Sequence, residues 1–179
     1  MYEDIVKLAN QEISILKRSI LSGSHIKTGD IRNLSAKLYK IVPDKSIDGV
    51  LKICEILLDE YTWELGVIAF DWANRIHKYY TIETYDIFYY WLKKYVRGWG
   101  DCDDFCTHAF GQLLIQHKEI FSKILNWTKD EDFWVRRASA VILIPAILKN
   151  DFADIHPLQI ANKLLNDEND LVCRGMDGC

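Results

Sequence analysis

Three carboxylates, two thiols and a tryptophan are crowded near the middle of the chain, where they form the strongest candidate for chemistry. The segment reads Trp99-Gly100-Asp101-Cys102-Asp103-Asp104-Phe105-Cys106. Gly100 is expected to interrupt the preceding helix and Asp101 to cap the next one, since acidic side chains are favoured beside the unpaired N–H groups of a helix start. Capping and solvation alone would account for Asp101 and Asp103. The role of the remaining carboxylate depends on what the fold brings near it.

The two thiols of this segment are candidate metal ligands. Cys102 and Cys106 are four residues apart and His108 follows, a spacing that could place two thiolates on one ion. No second pair of cysteines or histidines at ligand spacing completes a tetrahedral set, so the sequence predicts no metal site. It also contains no phosphate-binding glycine loop, and no cofactor is predicted. The odd number of cysteines, five, without framework spacing, favours reduced thiols.

A second segment, Trp134-Val135-Arg136-Arg137-Ala138, places two consecutive arginines at the start of an otherwise apolar stretch. Adjacent side chains on a helix point in different directions, so one arginine is expected to face a groove. A guanidinium there can bind a phosphate or a carboxylate through two hydrogen bonds. Two partners for this guanidinium remain possible. One is a backbone phosphate, and the other is the carboxylate of Asp104, in which case the ion pair would only hold neighbouring helices in register.

The elements that position these segments read as helices. Apolar residues recur at intervals of three and four, and only three prolines and nine glycines interrupt the chain. Pro145 is expected to kink one of the helices, whose residues 138–148 are apolar enough to be buried. A short terminal stub follows the last of the predicted helices, which span about 2–20, 29–41, 46–58, 62–77, 81–98, 101–114, 120–127, 133–148 and 155–165.

Short amphipathic helices joined by brief turns predict an all-α fold of stacked antiparallel helix pairs, forming a short curved HEAT-like α-solenoid. A compact helical bundle is the alternative, since it has the same periodicity. The second helices of the pairs would line a concave groove, and one domain is expected over 1–179. Repeats of about 30 to 40 residues follow from second helices starting near Thr28, Thr62, Asp101, Asp132 and Asn169.

Composition restricts the functional classes. The chain has 179 residues and a formal net charge of −4, which argues weakly against a nucleic-acid partner, although a basic stripe can coexist with an acidic whole. The chain has no run of about twenty apolar residues. Its N-terminus also lacks the basic segment followed by an apolar segment that is typical of a signal peptide. A cytoplasmic monomer with no membrane contact is therefore expected.

Two motifs together resemble a known family. Trp-x-Asp-x-x-Asp, formed by Trp99, Asp101 and Asp104, is followed by Trp-x-Arg-Arg-Ala-x-Ala over 134–140. This pairing resembles the DNA alkylation repair family, which are HEAT-like-repeat alkylpurine DNA glycosylases. Residues 65–69 and 170–175 also fit the pattern of that family.

The resemblance implies a DNA repair glycosylase that excises cationic N3- or N7-alkylated purines from double-stranded DNA held in the concave groove. Asp104 matches the catalytic carboxylate near the sugar of the damaged nucleotide. Arg137 matches the arginine that contacts the adjacent backbone, and Trp99 lies in the aromatic part of the motif. Arg136 and Arg174 are predicted as further DNA contacts.

The chain departs from the family pattern in two places. Gly100 stands where the family commonly has a second tryptophan. The family also continues past Gly175 into a segment with another functional tryptophan, so a C-terminus that is either truncated or divergent is expected here. Two alternatives to the glycosylase therefore remain open. One is a DNA-binding relative without catalysis, and the other, motivated by the net negative charge, is a HEAT-type protein-interaction scaffold.

Overall fold

A computed structural model of the protein describes residues 2–19 and 25–176. Within these ranges the chain forms α-helices, two short 3₁₀ turns at His77–Tyr79 and Lys118–Ile120, and no strand. No helix in this part of the chain is long and apolar enough to cross a membrane. The helices are α1 (Tyr2–Ser19), α2 (Thr28–Tyr39), α3 (Ile47–Asp59), α4 (Trp63–Arg75), α5 (Thr84–Tyr95), α6 (Trp99–Thr107), α7 (Ala109–Gln116), α8 (Phe121–Trp127), α9 (Phe133–Val141), α10 (Ile144–Leu148), α11 (Pro157–Leu164) and α12 (Asp170–Gly175).

The chain forms two compact units, Met1–Ile76 and His77–Cys179. In the first unit α4 packs against both α2 and α3. Trp72 of α4 is fully buried there, and its Nε1–H donates to the carbonyl of Ser35, 3.2 Å away. The predicted end of the first helix at Ile20 lies outside the described residues, and the prediction of one domain over the whole chain stays a prediction.

The contacts between helices show the repeat that the sequence predicts. Predicted second helices correspond to α2 and α4 in the first unit and to α6, α9 and α12 in the second. Within the first unit α2 packs against α4, and within the second α6 packs against α9 and α9 against α12. Contact between corresponding helices of successive pairs is the packing expected of stacked repeats. The prediction of an all-α fold built from stacked helix pairs is confirmed.

Helix α9 is the centre of the second unit, since α5, α6, α8, α11 and α12 all pack against it. Its Val135 and Ala138 are fully buried. An aromatic cluster fills the neighbouring space, with the rings of Phe88 and Phe105 5.2 Å apart and those of Phe105 and Phe110 5.4 Å apart. These edge-on and tilted contacts are the geometries that aromatic pairs prefer.

One predicted helix over 101–114 is in fact two, because the chain turns at His108. This residue has φ −118° and ψ −95°, far from helical values. Its ring Nδ1 lies 2.8 Å from the carbonyl oxygen of Asp104. The imidazole therefore lies against the last turn of α6, at the point where this helix ends.

The predicted helix over 133–148 is also broken, between Val141 and Ile144. Pro145 has no N–H, and its ring would clash with the carbonyl of the residue four positions earlier, so α9 ends and α10 starts afresh with the proline in its first turn. The prediction of a kink was therefore too mild. Burial of this stretch extends to Ala146, whereas Leu148 is 80% exposed.

Helix α7 packs closely against neighbouring parts of the chain at Gly111. A Cβ on Gly111 would lie 2.6 Å from the carbonyl oxygen of Cys106 and 2.8 Å from Cγ of Pro145. By contrast, a Cβ on Gly66 in the interior of α4 would meet no atom within 4 Å.

We therefore expect the same substitution to have opposite effects at the two glycines. Gly111→Ala should destabilise the protein by about 1–3 kcal/mol because it forces backbone and Pro145 apart. Gly66→Ala should stabilise it by about 0.5–1 kcal/mol, since alanine is the better helix former and the space is open. Urea denaturation measures both, and a neutral Gly111→Ala would show that α6, α7 and α10 are not packed as described.

Candidate nucleic-acid interface

Trp99 opens α6, and its side chain is 64% exposed, the largest exposed fraction of any tryptophan among the described residues. The helix therefore starts two residues before the predicted cap. Gly98 is the N-cap residue, so the prediction that Asp101 occupies this position was wrong. Asp101 lies within the first turn, and its carboxylate accepts the backbone N–H of Arg97 at 3.3 Å. Burial raises the pKa of this carboxyl.

Asp103 lies four residues after Trp99, so the two side chains share one face of α6. Its carboxylate is bound by Arg137 of α9 through two parallel hydrogen bonds, Nε to Oδ1 at 3.0 Å and Nη2 to Oδ2 at 2.8 Å. The Asp103 side chain is 34% exposed, whereas that of Arg137 is only 9% exposed. The pair thus presents its carboxylate, and not its guanidinium, toward solvent.

This pair corrects two expectations. The sequence left Arg137 with a phosphate or Asp104 as partner, and assigned Asp103 to solvation, but the structure pairs Arg137 with Asp103. The reason is helical geometry, because adjacent residues on α6 are rotated by about 100° and only one of them can face α9. The spacing of four between Trp99 and Asp103 indicates that these two side chains share a face of α6, but it does not indicate which carboxylate faces α9.

Arg137 also reaches α12. Its Nη1 donates to the backbone carbonyl of Leu171, and a Cβ on Gly175 would lie 3.2 Å from its Cγ. Burial acts to lower the pKa of Arg137, but hydrogen bonding and the charge of Asp103 outweigh this and keep that pKa above its ordinary value. The guanidinium is therefore a permanently charged link between α6, α9 and α12.

Asp104 faces a different neighbour. Its Oδ1 lies 3.3 Å from Nδ1 of His108, and its side chain is 13% exposed. It is thus less accessible than Asp103. Its predicted catalytic role stays a prediction.

Arg136 binds the turn between α11 and α12. Its Nε donates to Asp167 Oδ2 at 2.7 Å and its Nη2 to Oδ1 at 3.1 Å, while Nη1 donates to the carbonyls of Asp130 and Glu131. Its side chain is 14% exposed. The hydrogen bond from Arg136 is the main reason that the pKa of Asp167 is lowered. This guanidinium holds internal groups, and its predicted DNA contact is untested.

Arg174 forms an ion pair with Asp170, one turn earlier on α12, at 2.8 Å, and both side chains are largely exposed. Its predicted contact with DNA is also untested.

The two cysteines of α6 are buried. Cys102 and Cys106 are 0% exposed, and burial raises the pKa of the Cys106 thiol well above its ordinary value. Residues 2–19 and 25–176 contain no group of three or more histidine, cysteine or acidic side chains arranged to hold a metal ion.

Comparison with known families identifies the chain. A family model described as DNA alkylation repair enzyme matches residues 24–177. The chain belongs to this family. No curated protein and no solved structure was found to match it. The matched range contains both units in large part and all the residues of the candidate site, and membership of a DNA repair family indicates DNA as the partner.

In this member of the DNA alkylation repair enzyme family, Arg137 and Arg174 should differ sharply in their effect on folding. Arg137→Ala leaves the Leu171 carbonyl and Asp103 without their charged donor, so we expect a loss of about 2–4 kcal/mol in the free energy of unfolding. Arg174→Ala should cost less than about 1 kcal/mol, since exposed ion pairs contribute little. Equal losses in urea denaturation would contradict the structural role of Arg137.

The lowered pKa of Asp167 predicts a pH dependence. Because its folded pKa lies below its ordinary value of 3.8, its ion pair stabilises the protein above that value and is lost as the pH falls through the folded pKa. Asp167→Asn should therefore lower stability at neutral pH. The difference in stability from the parent protein should begin to shrink as the pH falls through about 4 and should go on shrinking until the pH is below the folded pKa of Asp167. Thermal melts at several pH values test this, with the exposed Asp154→Asn as a control whose gap stays small throughout.

Proposed function

We propose that this protein is a DNA glycosylase that releases cationic N3- or N7-alkylated purines from double-stranded DNA. Membership of a DNA alkylation repair family supports DNA as the partner. The observation that carries the proposal is the juxtaposition on one face of α6 of an exposed tryptophan and a partly exposed carboxylate oriented by Arg137.

Trp99 supplies the aromatic surface. A purine alkylated at N3 or N7 carries a positive charge, and an indole face attracts cations, with a strength of about 0.5–2 kcal/mol depending on how far water is excluded. The 64% exposed ring of Trp99 is available for such a contact without rearrangement of the core. The same charge makes the base a good leaving group, so little further activation of the purine is needed.

The carboxylate supplies the second half of the chemistry. Loss of the base leaves positive charge on the sugar, and a carboxylate beside the anomeric carbon stabilises that oxocarbenium ion and positions water for attack. Asp103 suits this role because its two oxygens are fixed by Arg137 while a third of its side chain is exposed. Each carboxylate oxygen can accept more than one hydrogen bond, so the ion pair does not block a water molecule. Asp104, which the family motif favours, is the alternative carboxylate.

A DNA-binding protein without catalysis is the second candidate, and Gly100 favours it. A Cβ at this position would meet no atom within 4 Å, so the side of α6 next to Trp99 is open where the resemblance implies a second aromatic ring. A base bound at Trp99 would then lack the second aromatic wall that the resemblance implies beside it. Such a protein would bind DNA without releasing a base.

The test is release of free base from double-stranded DNA that contains N7-alkylguanine, measured by chromatography together with the abasic sites formed. The parent protein should release base. Asp103→Asn should reduce the single-turnover rate by about 100-fold or more, as expected when a charge that stabilises the transition state is removed. Asp104→Asn and the matched control Asp101→Asn should each stay within about tenfold of the parent.

Thermal melts must show that each variant is folded, because Asp103→Asn also weakens the contact with Arg137. A greater loss for Asp104→Asn than for Asp103→Asn would move the catalytic role to Asp104. Binding without base release by the parent protein would overturn the glycosylase and support the second candidate.

A further inference from the structure

A basic groove lies between the end of α5 and the start of α9, within the second unit. It has a volume of about 350 Å³, and its lining includes Lys93, Lys94 and Arg97 on one side and Trp134 on the other. Asp132 contributes the one carboxylate of the lining, and its Oδ1 accepts the N–H of Trp134 at 2.9 Å as the cap of α9. The lining therefore carries three cationic side chains and one carboxylate.

The three cations differ in their surroundings. Lys93 is paired with Asp130 at 2.8 Å, a carboxylate outside the lining. The ammonium of Lys94 lies 5.2 Å from the ring centre of Tyr90 and 4.7 Å from that of Tyr95. Contact with a ring leaves the formal charge in place, so Lys94 still contributes positive potential to the groove.

Arg97 extends that potential toward α6. Its Nη2 donates to the carbonyl of Lys94 at 3.3 Å, which holds the guanidinium beside the ammonium and likewise leaves its charge in place. A planar guanidinium next to an ammonium is well suited to the oxygens of a phosphate. Trp134, half-buried against Phe133 with ring centres 4.5 Å apart, gives the groove a rigid opposite wall.

The groove adjoins the helix that carries the candidate site. The backbone N–H of Arg97 donates to Asp101, and Arg97 precedes the exposed Trp99 by two residues. On the other side, Sγ of Cys102 lies 3.8 Å from the carbonyl of Trp134. A DNA strand placed with a nucleotide at Trp99 would therefore pass close to Lys94 and Arg97.

We propose that this groove binds a phosphodiester of the DNA backbone next to the damaged nucleotide, with Lys94 and Arg97 as the phosphate ligands. The inference rests on the proposed function for its ligand. It assigns binding to two residues that neither the family motifs nor the charge of the whole chain indicates.

The experiment measures binding of the full chain to a fluorescein-labelled, unmodified DNA duplex by fluorescence anisotropy at several salt concentrations. The double variant Lys94→Gln with Arg97→Gln keeps most of both side-chain stems and removes two charges. Because each phosphate contact adds close to one to the slope of log affinity against log salt, we expect the slope to fall by about 2 and the affinity by roughly tenfold or more near physiological salt.

Two further variants control for net charge and for folding. Lys149→Gln with Lys163→Gln removes the same charge from exposed positions on the same unit; it should leave the affinity within about twofold of the parent and the slope unchanged. Lys94→Arg with Arg97→Lys keeps both charges and should retain binding. Equal affinity and slope for the parent and the Lys94, Arg97 glutamine variant would overturn the proposal, as would an equal loss in the Lys149, Lys163 control.

The outcomes separate this proposal from the glycosylase. Weaker DNA binding by the glutamine variant, with no base release by the parent, would support the groove and overturn the glycosylase. Base release by the parent, with unchanged binding and release by the glutamine variant, would support the glycosylase and overturn the groove. Tight binding of an acidic peptide that the unmodified duplex cannot displace would also overturn the groove as a phosphate site.

Discussion

The second unit depends on one buried guanidinium. Arg137 projects from the central helix α9, binds the Asp103 carboxylate of α6 in a bidentate manner and donates to the Leu171 carbonyl of α12. A charge this deeply placed is tolerable only when its donors are satisfied. It therefore sets the distances between α6, α9 and α12, the second helices of three successive pairs. It also fixes the carboxylate that shares a face of α6 with Trp99. Stability and the candidate chemistry share the same ion pair.

The two arginines of the Arg136-Arg137 pair have different tasks because consecutive residues on a helix point in different directions. Arg137 faces α6 and α12, whereas Arg136 holds Asp167 and the carbonyls that precede α9. Both stabilise the stack from inside. Contact with the DNA backbone, which the family motif assigns to this stretch, would thus be shared with cations in more open positions. The groove beside α5 supplies such cations at Lys94 and Arg97.

Local breaks in the helices also serve the site. The break at His108 ends α6 after little more than two helical turns and separates its polar start from the apolar α7. In the same way, Pro145 ends α9 shortly after the buried residues of that helix. Because these helices are short, consecutive helices can run in different directions. In α6 this leaves Trp99 exposed at one end and Phe105 fully buried toward the other.

The sequence by itself determined where most of the helices lie, because apolar spacing and caps such as Ser46, Thr62 and Asp132 act over a few neighbouring residues. It did not predict the breaks at His108 and between Val141 and Ile144. It also determined the repeat and the two motifs, whose residues are fixed in number and order. Only the tertiary structure decided that Asp103 and not Asp104 meets Arg137, and that Lys94 and Arg97 line a groove with Trp134. Those facts depend on the rotation and separation of helices more than thirty residues apart in the chain, which side-chain packing sets and local spacing does not encode.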